Sequence, residues 1–151
     1  MLNKNTKISK NVKETEKIAK VFLNKILKDK EAGNSATIVC LSGNLGVGKT
    51  AFTQGVAKHL GVKGRVVSPT FVIFKKYSLK SKKHKFLYHL DAYRLKNEKE
   101  LLNLGWEEII ADKNHLIFIE WPENVNKIIP KHARVIKISH AERGKRILEL
   151  K

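Results

Sequence analysis

A three-layer α/β domain, its central sheet mainly parallel and extended by antiparallel hairpins, is the fold class that this 151-residue sequence predicts. Three observations carry it. A β-rich run at residues 37–41 leads straight into the glycine-rich stretch GNLGVGKT, and helical periodicity begins directly after it. Two further apolar runs, FLYHLD and LIFIE, each end in an acid, Asp91 and Glu120. The later β-rich runs are joined by connections too short for a crossover helix, which leaves antiparallel pairing.

Taken in order, residues 1–10 are polar and are expected to be loose. Over residues 12–27, Ile18, Phe22 and Ile26 recur at every fourth position with Val21 and Leu23 beside them, as an amphipathic helix requires. Gly33 and Asn34 end that region, and the strand at 37–41 follows. Phe52, Val56 and Leu60 carry helical spacing up to Gly61, a helix stop. Val66-Val67 opens an extended segment interrupted by Pro69. Residues 71–77 and 86–90 flank the polar stretch SLKSKKH and predict a hairpin with a basic tip. Asn97 followed by Glu100 is a capping-box pattern for a helix carrying Leu101, Leu102 and Leu104. LIFIE, residues 116–120, reads as a buried strand, and residues 135–138 and 147–150, joined through HAERG, as a terminal hairpin. No internal repeat or linker interrupts residues 1–151, which read as one domain.

The charge is strongly one-sided: 31 Lys+Arg against 14 Asp+Glu give +17 and a pI near 10.0. Such an excess favours nucleic acid and acidic partners. The lysines are spread along the chain, however, and no RNA-binding signature with stacking aromatics accompanies them. No apolar run approaches the roughly 20 residues that cross a bilayer. The lysine-rich start lacks the apolar stretch of a secretory signal, so a cytoplasmic protein without membrane contact is expected. Cys40 is the only cysteine and, inside an apolar run, reads as a buried thiol.

The chemistry sits in residues 43–50. Gly43, Asn44, Leu45, Gly46, Val47, Gly48, Lys49 and Thr50 match the phosphate-loop pattern, with Gly43, Gly48, Lys49 and Thr50 at its fixed positions. Glycines let successive N–H groups converge on one anion, and the following helix adds the positive end of its dipole. Lys49 then reaches the β- and γ-phosphates of ATP, and Thr50 offers a hydroxyl to Mg2+. The strand, loop, helix order is the context this reading demands, and it makes the P-loop NTPase fold the prediction.

Magnesium on nucleotide phosphates takes only one or two protein carboxylates. Asp91 and Glu120, at strand ends, are the candidates: Asp91 for the metal, and the longer Glu120 for the attacking water as well as the metal shell. The two roles are exchangeable at this level. Thr70, in SPTF, is a candidate for a loop that senses the γ-phosphate, with a plain proline turn as the alternative.

The ordered set GNLGVGKT, SPTF, HLDAYRL, LGWEEII and IEWPENV closely resembles the TsaE family, formerly YjeE, over roughly residues 11–150. The resemblance implies a small P-loop ATPase, binding ATP or ADP with Mg2+. It would serve threonylcarbamoyladenosine formation in tRNA by acting on the TsaB–TsaD pair, with TsaD performing the transfer. It places the nucleotide site on residues 43–50, Thr70, Asp91, Glu120 and Trp121. Asn44, Val47 and Ala92 stand where the family usually has Asp, Ala and Leu, and none of them is a fixed loop position. On this reading tRNA is an indirect partner, with direct contact through the basic surface left open.

Three other functions compete. A small metabolite kinase would use Arg143 and Arg146 as a basic lid, but no acceptor signature accompanies them. A GTPase would need an N-K-x-D segment, and neither Asn24-Lys25 nor Asn126-Lys127 has Asp two residues later. A non-catalytic RNA-binding module rests on the charge alone.

Overall fold

In a computed structural model, residues 4–29, 33–44, 46–64, 66 and 74–151 are described. The elements run β1 (Thr6–Ser9), α1 (Val12–Lys28), β2 (Thr37–Ser42), α2 (Lys49–His59), β3 (Phe74–Ser78), β4 (Phe86–Asp91), α3 (Glu98–Leu102), α4 (Trp106–Ala111), β5 (His115–Glu120), β6 (Arg134–His140) and β7 (Arg146–Leu150). A 3-10 segment, Pro122–Ile128, follows β5.

Among the described residues the strands form one sheet in the order β1-β7-β6-β2-β5-β4-β3. Its centre is parallel: β2 pairs with β5 and β6, and β4 with β5. Both predicted hairpins, β3–β4 and β6–β7, extend it antiparallel. The mainly parallel three-layer prediction therefore holds, with β2 in the middle of the sheet.

Strand alternation divides the core. Val39 and Leu41 of β2, with Leu116 and Phe118 of β5, face α1 and α2, where Phe22, Leu23, Phe52 and Val56 pack on them. Ile38, Cys40, Ile117 and Ile119 face the opposite layer, built by Leu101, Trp106 and Val125. Cys40 is a core thiol as expected, and burial, helped by the charge of Glu123, pushes it up to about 12. Gly55 lets the two helices of the first layer approach closely: a Cβ there would lie 3.0 Å from the Glu16 Cα.

Three expectations need correction. Residues 6–9 are not loose but form β1, antiparallel to β7, because the β6–β7 hairpin leaves an open edge whose N–H and C=O groups a further strand can satisfy. Val21 belongs to the exposed side of α1, at 57% exposure. The buried face is instead Thr15, Ala19, Phe22, Leu23 and Ile26, with Ile18 only partly covered. The helix opened by Asn97 stops at Leu102, leaving Leu104 in an exposed turn before Gly105 admits the separate helix α4. Asn97 caps the helix as expected: its Oδ1 accepts from the Glu100 N–H, while Glu100 reaches one residue past the cap to accept from the Lys96 N–H. The expected segment at Val66-Val67 and Pro69, and residues 71–73 of the first hairpin strand, lie outside the described residues apart from Val66.

Candidate nucleotide site

β2 delivers the loop from the middle of the sheet. Gly43 has no room for a side chain: a Cβ there would sit 2.3 Å from the Ile138 carbonyl oxygen of β6. Gly46 and Gly48 meet no such wall, but φ values of 77° and 107° place them where side-chain-bearing residues are strained. Between them, Val47 donates its N–H to the Asn44 carbonyl at 3.3 Å, and α2 begins as the Phe52 N–H bonds the Gly48 carbonyl. The Arg146 Nε of β7 donates to the Val47 carbonyl at 3.0 Å, so the loop is braced from the carboxy-terminal hairpin. Leu45 lies outside the described residues, as does Thr70.

Lys49, the first residue of α2, is buried. Its ammonium donates to the Gly43 carbonyl at 2.5 Å and lies 3.9 Å over the Trp121 ring. Burial lowers its pKa, while the carboxylates of Glu120, Asp91 and Glu123 pull in the opposite direction. Beside it, the Thr50 hydroxyl donates to Glu120 Oε1 at 3.4 Å.

The register of the parallel strands brings the two acids together, since Asp91 of β4 is paired with Glu120 of β5. Both are buried. Asp91 accepts the Tyr93 N–H at 2.9 Å, which turns the chain away from β4. The two loops leaving these strands are tied: Glu120 accepts the Ala92 N–H on its backbone carbonyl, and the Asn124 amide donates to the carbonyls of Ala92 and Tyr93. Directly after Glu120, Trp121 has φ 58°, an outlier for a bulky residue. Its ring, 5.0 Å from that of Tyr93, covers Lys49.

The structure thus brings Lys49, Thr50, Asp91, Glu120 and Trp121 to one end of the sheet. It adds two groups that lie within the motifs but carry no expected role. His89 is fully buried and its Nε2 lies 3.0 Å from Glu120 Oε2. The period of a strand carries the signal for it, because His89 stands two residues before Asp91 and so shares its face. Glu123 accepts a hydrogen bond from the Ser42 hydroxyl at the end of β2.

A loop of this form between a central strand and a helix, with a lysine and a hydroxyl at the helix start and two acids on neighbouring strand ends, defines a P-loop nucleotide-binding protein. The chain belongs to the TsaE family: the family model described as threonylcarbamoyl adenosine biosynthesis protein TsaE matches residues 9–148. It is 32% identical over 151 residues to the tRNA threonylcarbamoyladenosine biosynthesis protein TsaE of Rickettsia bellii, covering 99% of this chain and 96% of that one. The Bacillus subtilis protein of the same name is 36% identical over 104 residues, 69% of this chain and 62% of its own. Among solved structures, the crystal structure of Bacillus subtilis YdiB matches with a TM-score of 0.73 and 28% identity, over 99% of this chain and 86% of that one. The chain is accordingly a family protein of tRNA threonylcarbamoyladenosine biosynthesis. Among the described residues no helix is long and apolar enough to cross a membrane.

Proposed function

We propose that this protein is the ATP-binding and ATP-hydrolysing component of the threonylcarbamoyladenosine machinery, working in the cytoplasm on the TsaB–TsaD pair. One observation carries the reading: the Thr50 hydroxyl at the start of α2 reaches Glu120 at the end of β5, so the phosphate end of the loop and an acid meet at one point. The residues fit ATP with magnesium. The Gly46–Gly48 turn supplies N–H groups for phosphate oxygens, and Lys49 is held by a carbonyl oxygen and a ring face, contacts that a phosphate can replace. Thr50, Asp91 and Glu120 would hold Mg2+, which when bound offsets the charge of the β- and γ-phosphate oxygens.

Within that frame the side chains divide the work. Lys49 stabilises charge on the phosphates. Glu120 keeps Oε2 on His89 and turns Oε1 to the Thr50 side, where it orients the attacking water and takes its proton. Through its contact with Thr50, Glu120 would also help to hold the metal, with Asp91 beside it in register as the second carboxylate. Trp121 roofs Lys49, and Thr70 keeps the γ-phosphate role implied by the family motif. Of the two arginines that the kinase alternative would use as a lid, Arg146 is occupied with the Val47 carbonyl.

The test is phosphate release from ATP, alone and with the TsaB and TsaD proteins, for the parent and Glu120→Gln. Expected is turnover that rises with the pair and falls on the order of a hundredfold in the variant, with ADP affinity retained. A phosphorylated metabolite, or equal turnover in both proteins, would overturn the proposal.

A further inference from the structure

Away from the nucleotide site, the far end of α2 carries a concentration of positive charge that the reaction does not use. A groove of about 530 Å3 runs between α1 and α2, floored by Gly55 and lined by Lys13, Lys17, Lys20, Lys58 and His59. Lys13, Lys17 and Lys20 follow the i, i+4, i+7 spacing that stacks side chains along one helix face. The groove continues. A second depression shares Glu16 and Lys58 with it, and a third shares Val62 with the second and adds Lys63 and Lys80, while the Lys76 ammonium is turned away, 4.0 Å over the Phe86 ring. These lysines are all exposed. Among the described residues the single acid along the track is Glu16, and it is already paired with Lys58 at 3.6 Å. Over the full chain, by contrast, acids number nearly half the Lys+Arg, 14 against 31.

We infer that this track is a binding site for the phosphodiester backbone of RNA, with tRNA as the occupant. A row of lysines is a line of mobile point charges suited to successive phosphates and indifferent to base sequence. Its length, spanning two helices and the β3–β4 side of the sheet, matches an extended polyanion rather than one small anion. The modification chemistry of the family centres on tRNA, which supplies the polyanion. Lys49 opens α2 and Lys58 and His59 close it, so one helix of about 16 Å has the nucleotide loop at one end and the track at the other. The RNA site is thus separate from the groups that handle phosphate chemistry.

Fluorescence anisotropy with an unmodified tRNA transcript, read across a salt series, tests this. Each phosphate contact adds about 0.7 to 0.9 to the slope of log affinity against log salt. The triple variant Lys13→Gln, Lys17→Gln, Lys20→Gln and the triple variant Lys58→Gln, Lys63→Gln, Lys80→Gln should each lower that slope by about 2 and weaken binding tenfold or more. A control triple, Lys96→Gln, Lys99→Gln, Lys113→Gln, removes the same charge elsewhere and should change the slope by less than about 0.5. Equal losses in all three variants would reduce the effect to overall charge and overturn the site. So would a parent that does not bind tRNA, or a polyglutamate chain of matched charge that binds as tightly and loses as much, which would assign the track to an acidic protein. ATP turnover measured in the same variants should stay parental. RNA binding lost with turnover intact therefore bears on this site alone.

Discussion

His89 Nε2 lies 3.0 Å from Glu120 Oε2, and both side chains are buried, at 0% and 4% exposure. Among the described residues His89 Nδ1 has no hydrogen-bond partner. The ring proton therefore belongs on Nε2, where the carboxylate accepts it, since a buried N–H left unmatched is costly. The pair fixes which oxygen of Glu120 is spoken for and which is left to face Thr50.

Removing that donor should release the carboxylate without emptying the site. His89→Leu is expected to lower kcat for ATP by roughly ten- to a hundredfold at little cost in ADP affinity, whereas His89→Gln, which keeps an N–H at similar reach, should recover most of the loss. Nitrogen-15 NMR of the parent should show the Nε2–H tautomer. An Nδ1–H ring, or identical kinetics for the two variants, would refute a positioning role.

Lys49→Ala should abolish tight nucleotide binding, because it removes the cation nearest the loop carbonyl of Gly43. Thr50→Ala should retain ADP binding and lose its magnesium dependence. Titration by Trp121 fluorescence reads both, since that ring lies over Lys49. Folded variants that bind and hydrolyse like the parent would move the site elsewhere.

Gly43→Ala should be worse than Gly46→Ala for stability. The first drives a methyl to 2.3 Å from the Ile138 carbonyl, whereas the second meets nothing within 4 Å and is strained only by its backbone angle. Overpacking of this kind costs about 1–3 kcal/mol. Thermal melts should show the larger drop for Gly43→Ala, and equal melting temperatures would contradict the close approach of β6.

Acid should weaken the fold through His84. Full burial, and secondarily the charge of Lys83, lower its pKa from 6.5 to about 4. The unfolded chain therefore binds more protons between those two values. Stability present above pH 6.5 is lost as the pH falls towards 4, by up to about 3 kcal/mol. Chemical denaturation at pH 7 and pH 4.5 should show this, and His84→Gln should flatten the dependence. A parent with the same stability at both values would be the contrary result.

The helices and central strands were legible because their periods are written in runs long enough to read: Phe52, Val56 and Leu60 in α2, and the unbroken apolar stretch of β5. That the loop and the acids at strand ends would lie at one end of the sheet was legible through the loop's spacing and the strand pattern. What the sequence withheld was long-range. β1 exists because β7 leaves an edge for it, and nothing within residues 6–9 announces that edge. Val21 was misread because a single spacing of four does not say where the helical stripe is centred. One signal is local: Asn11 and Glu14 repeat the Asn97 and Glu100 pattern and cap α1 in the same way.

The hydrogen bond from Arg146 to the Val47 carbonyl also bears on the order in which the molecule is made. The brace lies 99 residues downstream of the loop it steadies. A ribosome thus releases the phosphate-binding letters long before the side chain that holds them in shape. A nascent chain halted before β7 carries the motif without this brace, so the loop gains its full set of supports only with the closing hairpin of the sheet.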